Sequence, residues 1–488
     1  MQTLMSYVDT NLIFDNSYAR LPEGFYTRLR PEPVMRPELI VFNSSLAEQL
    51  GFGKNLPDTH TLSQIFSGNS LMRGADSLAV VYAGHQFGHF VPQLGDGRAI
   101  LLGEVIGLSG KRFDIQLKGS GKTPYSRRSD GRSALGPVLR EYIISEAMHA
   151  LGVPTTRALA AVSTGESVLR EKCLPGAILT RVAHGHIRVG NFEYFAARQQ
   201  FDSLRILADY SIHRFFPELA TRPDRYTKFI EKVGELQSYL VSRWMGVGFI
   251  HGVMNTDNFS VSGETIDYGP CAFMNVYHPD TVFSSIDYNG RYSYRNQAYI
   301  ALWNMARFAE SLMPLIHENA DTAKAIAGEA ILSFSEKYQS FWLKTFRKKL
   351  GLELEVPEDD TLIKDFLAIL EHKRLDFTNS FRSLNEIIEK GISIAEFGEW
   401  QYVWKQRAAL EKASPIQLVS RLKASNPAVI PRNQQVEAVI EAAYQGKFSL
   451  FHEMIKSIQN PYCDIEGFEF YNNLVALDDR NYRTFCGT

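Results

Sequence analysis

Cysteine is scarce in this 488-residue sequence. Cys173, Cys271, Cys463 and Cys486 are its four cysteines, and no two stand at the spacing of a CxxC pair or a zinc finger. That argues against a disulfide scaffold and against a structural zinc site, and it suits a reducing compartment. An excess of charge of one sign is also missing. Lys plus Arg number 52 and Asp plus Glu 54, for a formal net charge of −2. A protein that binds nucleic acid mainly by bulk charge is thereby excluded, while local basic pockets are not. With 35 Gly and 20 Pro the chain is neither collagen-like nor linker-like. It has no internal repeat and no low-complexity tract. Long apolar runs are absent too. The longest uncharged stretch, SLAVVYAGHQFGHFVPQLG at 77–95, contains two His, two Gln and a Pro, which argues against a bilayer span. The N-terminal residues lack the apolar core and cleavage pattern of a secretory signal. The expectation is a cytoplasmic protein with no membrane and no nucleic-acid partner.

What the sequence does have is material for a core: 45% hydrophobic and 22% charged residues. Its length predicts about two to four structural units. The first 75 or so residues read as an irregular extension, with Pro at 22, 31, 33 and 37. Strands are predicted at Arg98–Ile106 and Arg112–Lys118, then at Thr156–Ser163, Ser167–Arg170 and Ala177–Val182. Between them Pro137 opens a helix that stops at Gly152. Beyond about residue 195 the pattern turns helical, beginning with Asp224–Gly246. Two short strand-like pieces, NFSVS and TID, read as a hairpin across Gly263-Glu264. The predicted class is α+β with two lobes: a β-rich lobe over 76–193, a larger α-rich lobe over 194–488, and an N-terminal extension, 1–75, packed on both.

One constellation stands out by order and spacing. Lys118 ends a strand, and Glu141 follows 23 residues later on the next helix. Much further on come the loop His251-Gly252-Val253-Met254-Asn255-Thr256-Asp257-Asn258 and then Asp267-Tyr268-Gly269. This is the order of a protein-kinase-type nucleotide site. A lysine neutralises phosphate oxygens and a carboxylate holds the lysine. An Asn oxygen and an Asp carboxylate are hard ligands for Mg²⁺ on a triphosphate. The departures carry information as well. Where a kinase loop has its basic Asp, this chain has Val253, which cannot accept a proton, and the nearest carboxylate is Asp257. The glycine loop reads Gly95-Asp96-Gly97-Arg98, with a bulky cation where a kinase loop stays small. Arg181 and Arg188 add further cations to the same lobe, which implies a triphosphate held in another orientation.

The stretches FDNSYARLPEGFYTRL, LGDGRA, IQLKGSGKTPYSRRSDGRSAL, LREYIISEAM and HGVMNTDNFS…IDYGP resemble the selenoprotein O family. The resemblance implies a kinase-like fold that binds ATP in a flipped orientation and transfers AMP, not phosphate, to protein Ser, Thr or Tyr hydroxyls. It further implies that Gly95, Gly97, Arg98, Lys118, Asp130, Gly131, Arg181 and Arg188 contact ATP. Asn258 and Asp267 would bind Mg²⁺ or Mn²⁺, with Asp267 also at the nucleotide, Asp257 would accept the proton, and Glu141 would orient Lys118. Some members link a C-terminal residue to the segment after the DYG through a disulfide, for which Cys271 and Cys486 are the candidates here. Two further functions stay open: an atypical kinase, and a catalytically inactive pseudokinase acting as a nucleotide-binding module. Two look-alike motifs are set aside. Lys118–Thr123 lacks the first Gly of a P-loop, since Gln116 stands there. HQFGH at 85–89 lacks the Glu of a zinc protease and reads as a packed or hydrogen-bonded pair.

Overall fold

A computed structural model of the protein describes residues 7–53, 55–464 and 482–484. Its organising element is a nine-stranded sheet. The strands are β1 (Tyr26–Arg28), β2 (Glu38–Phe42), β3 (Leu78–Gln86), β4 (His89–Gly95), β5 (Ala99–Ile106), β6 (Arg112–Lys118), β7 (Ser133–Ala134), β8 (Arg157–Leu169) and β9 (Cys173–Ala183). Across the sheet they run β1-β3-β5-β6-β9-β8-β2, with β4 paired to β3 and β7 to β9. The central pairs, β5–β6 and β6–β9, are antiparallel.

The alternation of Arg112–Lys118 sorts its side chains between the two faces of the sheet. Ile115 and Leu117 enter an apolar cluster with Leu46, Phe66 and Val162, under the N-terminal helices Ser44–Leu50 and Thr59–Ser67. Gln116 and Lys118 take the opposite face. The register sets Arg181 of β9 opposite Gln116 and Leu179 opposite Lys118, so Arg181 shares that face. Against it packs α1 (Leu135–Ala150), with Pro137 in its first turn, where a missing N–H costs no helical bond. Gly152 follows the helix at φ 73° and donates its N–H to the His149 carbonyl.

The predicted β-rich and α-rich regions are both present. Past β9 the chain forms α2 (Val189–Ala197), then α3 (Arg225–Val247), α4 (Gln297–Ile316), α5 (Ala320–Lys349) and further helices to Ile458. Among the described residues no helix is long and apolar enough to cross a membrane. The uncharged stretch at 77–95 is instead the β3–β4 hairpin. Phe87 and Gly88, at φ 52° and 87°, make its turn.

Two local readings need correction. The proline-rich N-terminal segment is not merely irregular, because β1 and β2 form the two edges of the large sheet. Edge strands bond on one side only, and Pro22, Pro31, Pro33 and Pro37 all fall outside them. Asn43 and Asp58 cap the two helices in the same segment, accepting from the backbone N–H of Leu46 and Thr61. The second correction concerns NFSVS and TID, which do not form a hairpin. Ser260 bridges to Arg188 and Thr265 to Thr155. Strands of five and three residues offer each other few hydrogen bonds, and tertiary partners such as Trp244, whose indole N–H donates to Thr265 Oγ1, prevail.

The tail residues 482–484 return to the α-rich region. Thr484 donates its hydroxyl to the Pro270 carbonyl at 2.7 Å and its N–H to the Phe283 carbonyl at 2.8 Å. Cys271, next to Pro270, is a fully buried free thiol, and burial pushes its pKa up to about 12. Cys486 lies outside the described residues, so the suggested Cys271–Cys486 pairing does too.

Candidate active site

The face of the sheet that carries Lys118 and Arg181 meets the 251–269 loop across an open cleft of roughly 780 Å³. Gly95, Gly97, Arg98, Lys118, Arg181, Arg188, Asp257, Asn258 and Asp267 all line it. These residues come from the glycine turn, two strands, a helix start and the loop, and span 173 positions of the chain only through the fold. Glu141 lies just behind them on α1.

At the base of the cleft three cations converge on one carboxylate. Lys118 Nζ donates to Asp267 Oδ1 at 2.8 Å and to Glu141 Oε2 at 2.6 Å. Arg181 Nη1 donates to the same Asp267 Oδ1 at 2.6 Å, and Arg188 Nη1 to Asp267 Oδ2 at 2.8 Å. Burial opposes ionisation of Asp267, but the charges of Arg181, Lys118 and Arg188 outweigh it and hold its carboxyl well below the usual range. Asp267 sits at φ 63°, a left-handed conformation that its own interactions must offset.

A second layer fixes the arginines. Arg181 Nε donates to Gln116 Oε1 at 2.7 Å, and Gln116 Nε2 in turn donates to Asp96 Oδ2 at 3.1 Å. Asp96 also lies 3.7 Å from Arg188 Nη2. The Arg188 guanidinium stands 4.8 Å from the centre of the Tyr82 ring. Gly95 and Gly97 have a packing reason of their own. A side chain at Gly95 would collide with the Tyr125 ring, and one at Gly97 would come within 2.8 Å of the Tyr125 carbonyl. The 123–126 turn thus braces the glycine loop from behind, with Thr123 Oγ1 donating to the Asp96 carbonyl at 2.7 Å.

Asp257 faces the cleft differently. Its side chain accepts one hydrogen bond, from Gln86 Nε2 to Oδ2 at 3.1 Å, while Oδ1 is buried with no partner among the described residues. Burial, partly countered by the Gln86 bond and the Arg188 charge, raises its pKa to about 6. Gly84 of β3 makes this approach possible, since a Cβ there would stand 2.9 Å from Asp257 Oδ1. Thr256, next in sequence, donates to Glu193 Oε2 at 2.5 Å and accepts from the His85 N–H at 2.7 Å. His85 Nδ1 pairs with Glu193 at 2.5 Å rather than with His89. The HQFGH stretch therefore buttresses the 251–258 loop, and among the described residues no cluster of three or more His, Cys, Asp or Glu is placed to hold a metal ion.

Divalent-metal fit can be judged from the donors. Asp267 uses three of about four carboxylate lone-pair sites on Lys118, Arg181 and Arg188, leaving one on Oδ2. Asn258 donates its amide N–H to the Val253 carbonyl at 3.1 Å, which leaves its amide oxygen outside that bond. Together with the unpartnered Asp257 Oδ1 these are hard oxygen donors of the kind Mg²⁺ takes.

Asp130 and Gly131 stand apart from the other candidates. Neither lines the cleft. Asp130 instead receives Arg170 Nη1 at 2.8 Å and Nη2 at 3.0 Å, and the Gly131 carbonyl accepts from the Gly121 N–H. The cleft wall there is Ser126, Arg127, Arg128 and Ser129. Gln86, Gln116, Tyr82 and Glu193 were not singled out from sequence. The period of β6 would have flagged Gln116 as sharing the Lys118 face, whereas Gln86 and Glu193 reach the site only by tertiary packing.

A profile of the family described as "Protein adenylyltransferase SelO" matches residues 9–459. The chain is 51% identical over 485 residues to a protein nucleotidyltransferase YdiU of Geobacillus kaustophilus (strain HTA426), covering 99% of this chain and 100% of that protein. It is 52% identical over 482 residues to the protein of the same name from Anoxybacillus flavithermus (strain DSM 21510 / WK1), over 99% and 100% of the two chains. For the one from Rhizobium rhizogenes (strain K84 / ATCC BAA-868) the identity is 51% over 486 residues, with 97% of each chain covered.

Proposed function

The chain belongs to the protein adenylyltransferase SelO family and is a nucleotidyltransferase, and from that premise we propose that it transfers AMP from ATP to Ser, Thr or Tyr hydroxyls of proteins. The observation that carries the reading is the convergence of Lys118, Arg181 and Arg188 at the base of the cleft, beside Asp257, whose carbonyl accepts from Arg188 Nη1 at 2.7 Å and whose carboxylate is partly unsatisfied. Three cations at the deep end suit the β- and γ-phosphates of an ATP that enters triphosphate-first, in the flipped orientation. The α-phosphorus would then lie nearer Asp257.

The remaining roles follow from each residue's place. Arg98 at the cleft wall and the backbone of Gly95 and Gly97 would border the phosphates. Arg181 and Arg188 would shift from Asp267 towards phosphate oxygens, with Gln116 and Asp96 keeping their guanidinium planes oriented. Glu141 would hold Lys118 in place through the 2.6 Å bond. Asn258 and Asp267 would hold Mg²⁺ or Mn²⁺, which when bound would supply charge neutralisation of the leaving pyrophosphate. Asp130 and Gly131 would meet the nucleotide from the 119–132 turn, next to Ser126–Ser129 of the cleft wall.

In the transfer, the acceptor hydroxyl oxygen forms a bond to the α-phosphorus and the bond from that phosphorus to pyrophosphate breaks. Asp257 takes the hydroxyl proton. A carboxylate with a pKa of about 6 is ionised at neutral pH yet more basic than an ordinary Asp, as a general base should be. Val253 occupies the place where a kinase would put its base, and it has no proton acceptor to offer. The same chemistry requires ATP and protein acceptors together, which points to the cytoplasm.

The test is the position of the label. Radiolabel from α-labelled ATP should appear on an acceptor protein, and label from γ-labelled ATP should not. Transfer of γ-label would mean an atypical kinase. No transfer of either label with ATP bound and a competent acceptor present would favour the pseudokinase reading.

A further inference from the structure

A second cavity, of roughly 340 Å³, lies among the helices of the α-rich region and shares no lining residue with the cleft. It forms where three helices end together: α3, α5 and the helix Pro415–Ser425. Its charged and titratable lining is Arg243, Lys348, Lys349, Glu353, Arg421 and Tyr462. That is four cations against one carboxylate. Of the four, only Arg421 has an ion pair among the described residues, with Glu353 at 2.7 Å and with Glu411 behind it.

The decisive residue is Lys349. It is only 3% exposed, yet its ammonium has neither a hydrogen bond nor an ion pair among the described residues. The rings of Phe381 and Phe377 stand beside it, with centres 4.3 Å and 5.3 Å away. A cation–π contact recovers part of the cost of burying an ammonium, but a lysine so deeply placed ordinarily has a carboxylate. Arg243 is in a similar position. Its Nη2 donates to the Leu151 carbonyl at 3.2 Å, while its Nε is buried without a partner. Arg243, with its unpartnered Nε, and Lys349 thus border one cavity lined by four cationic side chains and one carboxylate, at the C-terminal ends of three helices.

We propose that this cavity is a second binding site, for a small oxyanion such as the phosphate group of a phosphorylated metabolite. Lys349 and Arg243 would form its floor and Lys348 its exposed rim. The volume suits a compact ligand at the lower end of small-molecule sites. An anion would supply the missing partner of Lys349 and link the ends of α3 and α5, so that its binding should also stiffen the α-rich region.

Calorimetric titration of the full-length protein with inorganic sulfate, which keeps its double charge across the range used, tests this directly. Inorganic pyrophosphate serves as the second probe. Both probes should bind the wild type. Lys349→Met and Lys348→Glu should each weaken one class of sites by about tenfold or more, while Arg188→Lys, in the cleft, leaves that class unchanged. Lys348 is exposed, so its variant reports on the site even if Lys349→Met perturbs folding. The pH dependence adds an independent check. Burial and the nearby Arg243 charge lower the Lys349 pKa to about 7, so sulfate affinity at this site should fall as pH rises from 6 to 8. The other charged and titratable groups that line the cavity are Arg243, Lys348, Arg421, Glu353 and Tyr462, and burial raises the Tyr462 pKa above its ordinary value. The fall should therefore vanish in Lys349→Met. Sulfate binding that is identical in wild type, Lys349→Met and Lys348→Glu would overturn the proposal, as would the absence of any binding outside the cleft.

Discussion

Replacing Asp257 by Asn should make this protein more stable and inactive at once. Asp257 is 7% exposed, and burial raises its pKa to about 6 from an ordinary 3.8. The difference corresponds to about 3 kcal/mol by which the folded state disfavours the ionised form. A raised carboxyl pKa means that this stability is fully present below pH 3.8 and is lost as pH rises through about 6. Roughly half of the cost has accumulated by pH 5 and nearly all of it by pH 7. Asn has almost the same shape, carries no charge and can still bond Gln86 through its amide oxygen. Asp257→Asn should therefore exceed the wild type in stability by up to about 3 kcal/mol at pH 8, and by clearly less at pH 5. Urea denaturation of both proteins at the two pH values measures this, with the pH-dependent part of the difference as the readout. In the wild type, kcat/KM, which reports the free enzyme, should rise with pH through about 6 and then level off, since the base must be ionised. A variant less stable than wild type at pH 8, or a stability difference that does not vary with pH, would refute the account of Asp257 as a buried, destabilised carboxylate.

Three other outcomes follow from the site. Asp267→Ala leaves Lys118, Arg181 and Arg188 without their shared carboxylate, so it should abolish turnover and lower stability by about 3–5 kcal/mol, as read by denaturation and Mg²⁺-nucleotide titration. Lys118→Ala and Glu141→Ala should be strongly non-additive in rate, because both act through the 2.6 Å contact; a double variant whose loss is the sum of the single losses would separate their roles. Gly84→Ala places a methyl group 2.9 Å from Asp257 Oδ1, and a displacement of that size should lower turnover by about 10²-fold with little change in the unfolding transition.

Much of this molecule could be read from the chain itself. The alternation of Arg112–Lys118, the Pro137 start and Gly152 stop of α1, and the order of Lys118, Glu141, Asn258 and Asp267 are local patterns. Each is imposed by backbone periodicity or by the sequence neighbours of the residue concerned, so it survives without knowledge of the fold. The same holds for Val253, whose lack of a proton acceptor is a property of the side chain alone.

Other features had no local signature. The N-terminal segment becomes both edges of the sheet only because partner strands, β3 and β8, present open backbone groups to it. NFSVS and TID part company because Arg188, Thr155 and Trp244 compete for them. Asp257 has its raised pKa because Gly84 and Gln86, some 170 positions away, close over it, and pKa depends on surroundings rather than on residue type. Asp130, two positions after Arg128 in sequence, turns to Arg170 while Arg127 and Arg128 line the cleft. Spacing along the chain determined which chemical groups are available; the direction each one faces, and the charge it meets there, were decided by long-range packing.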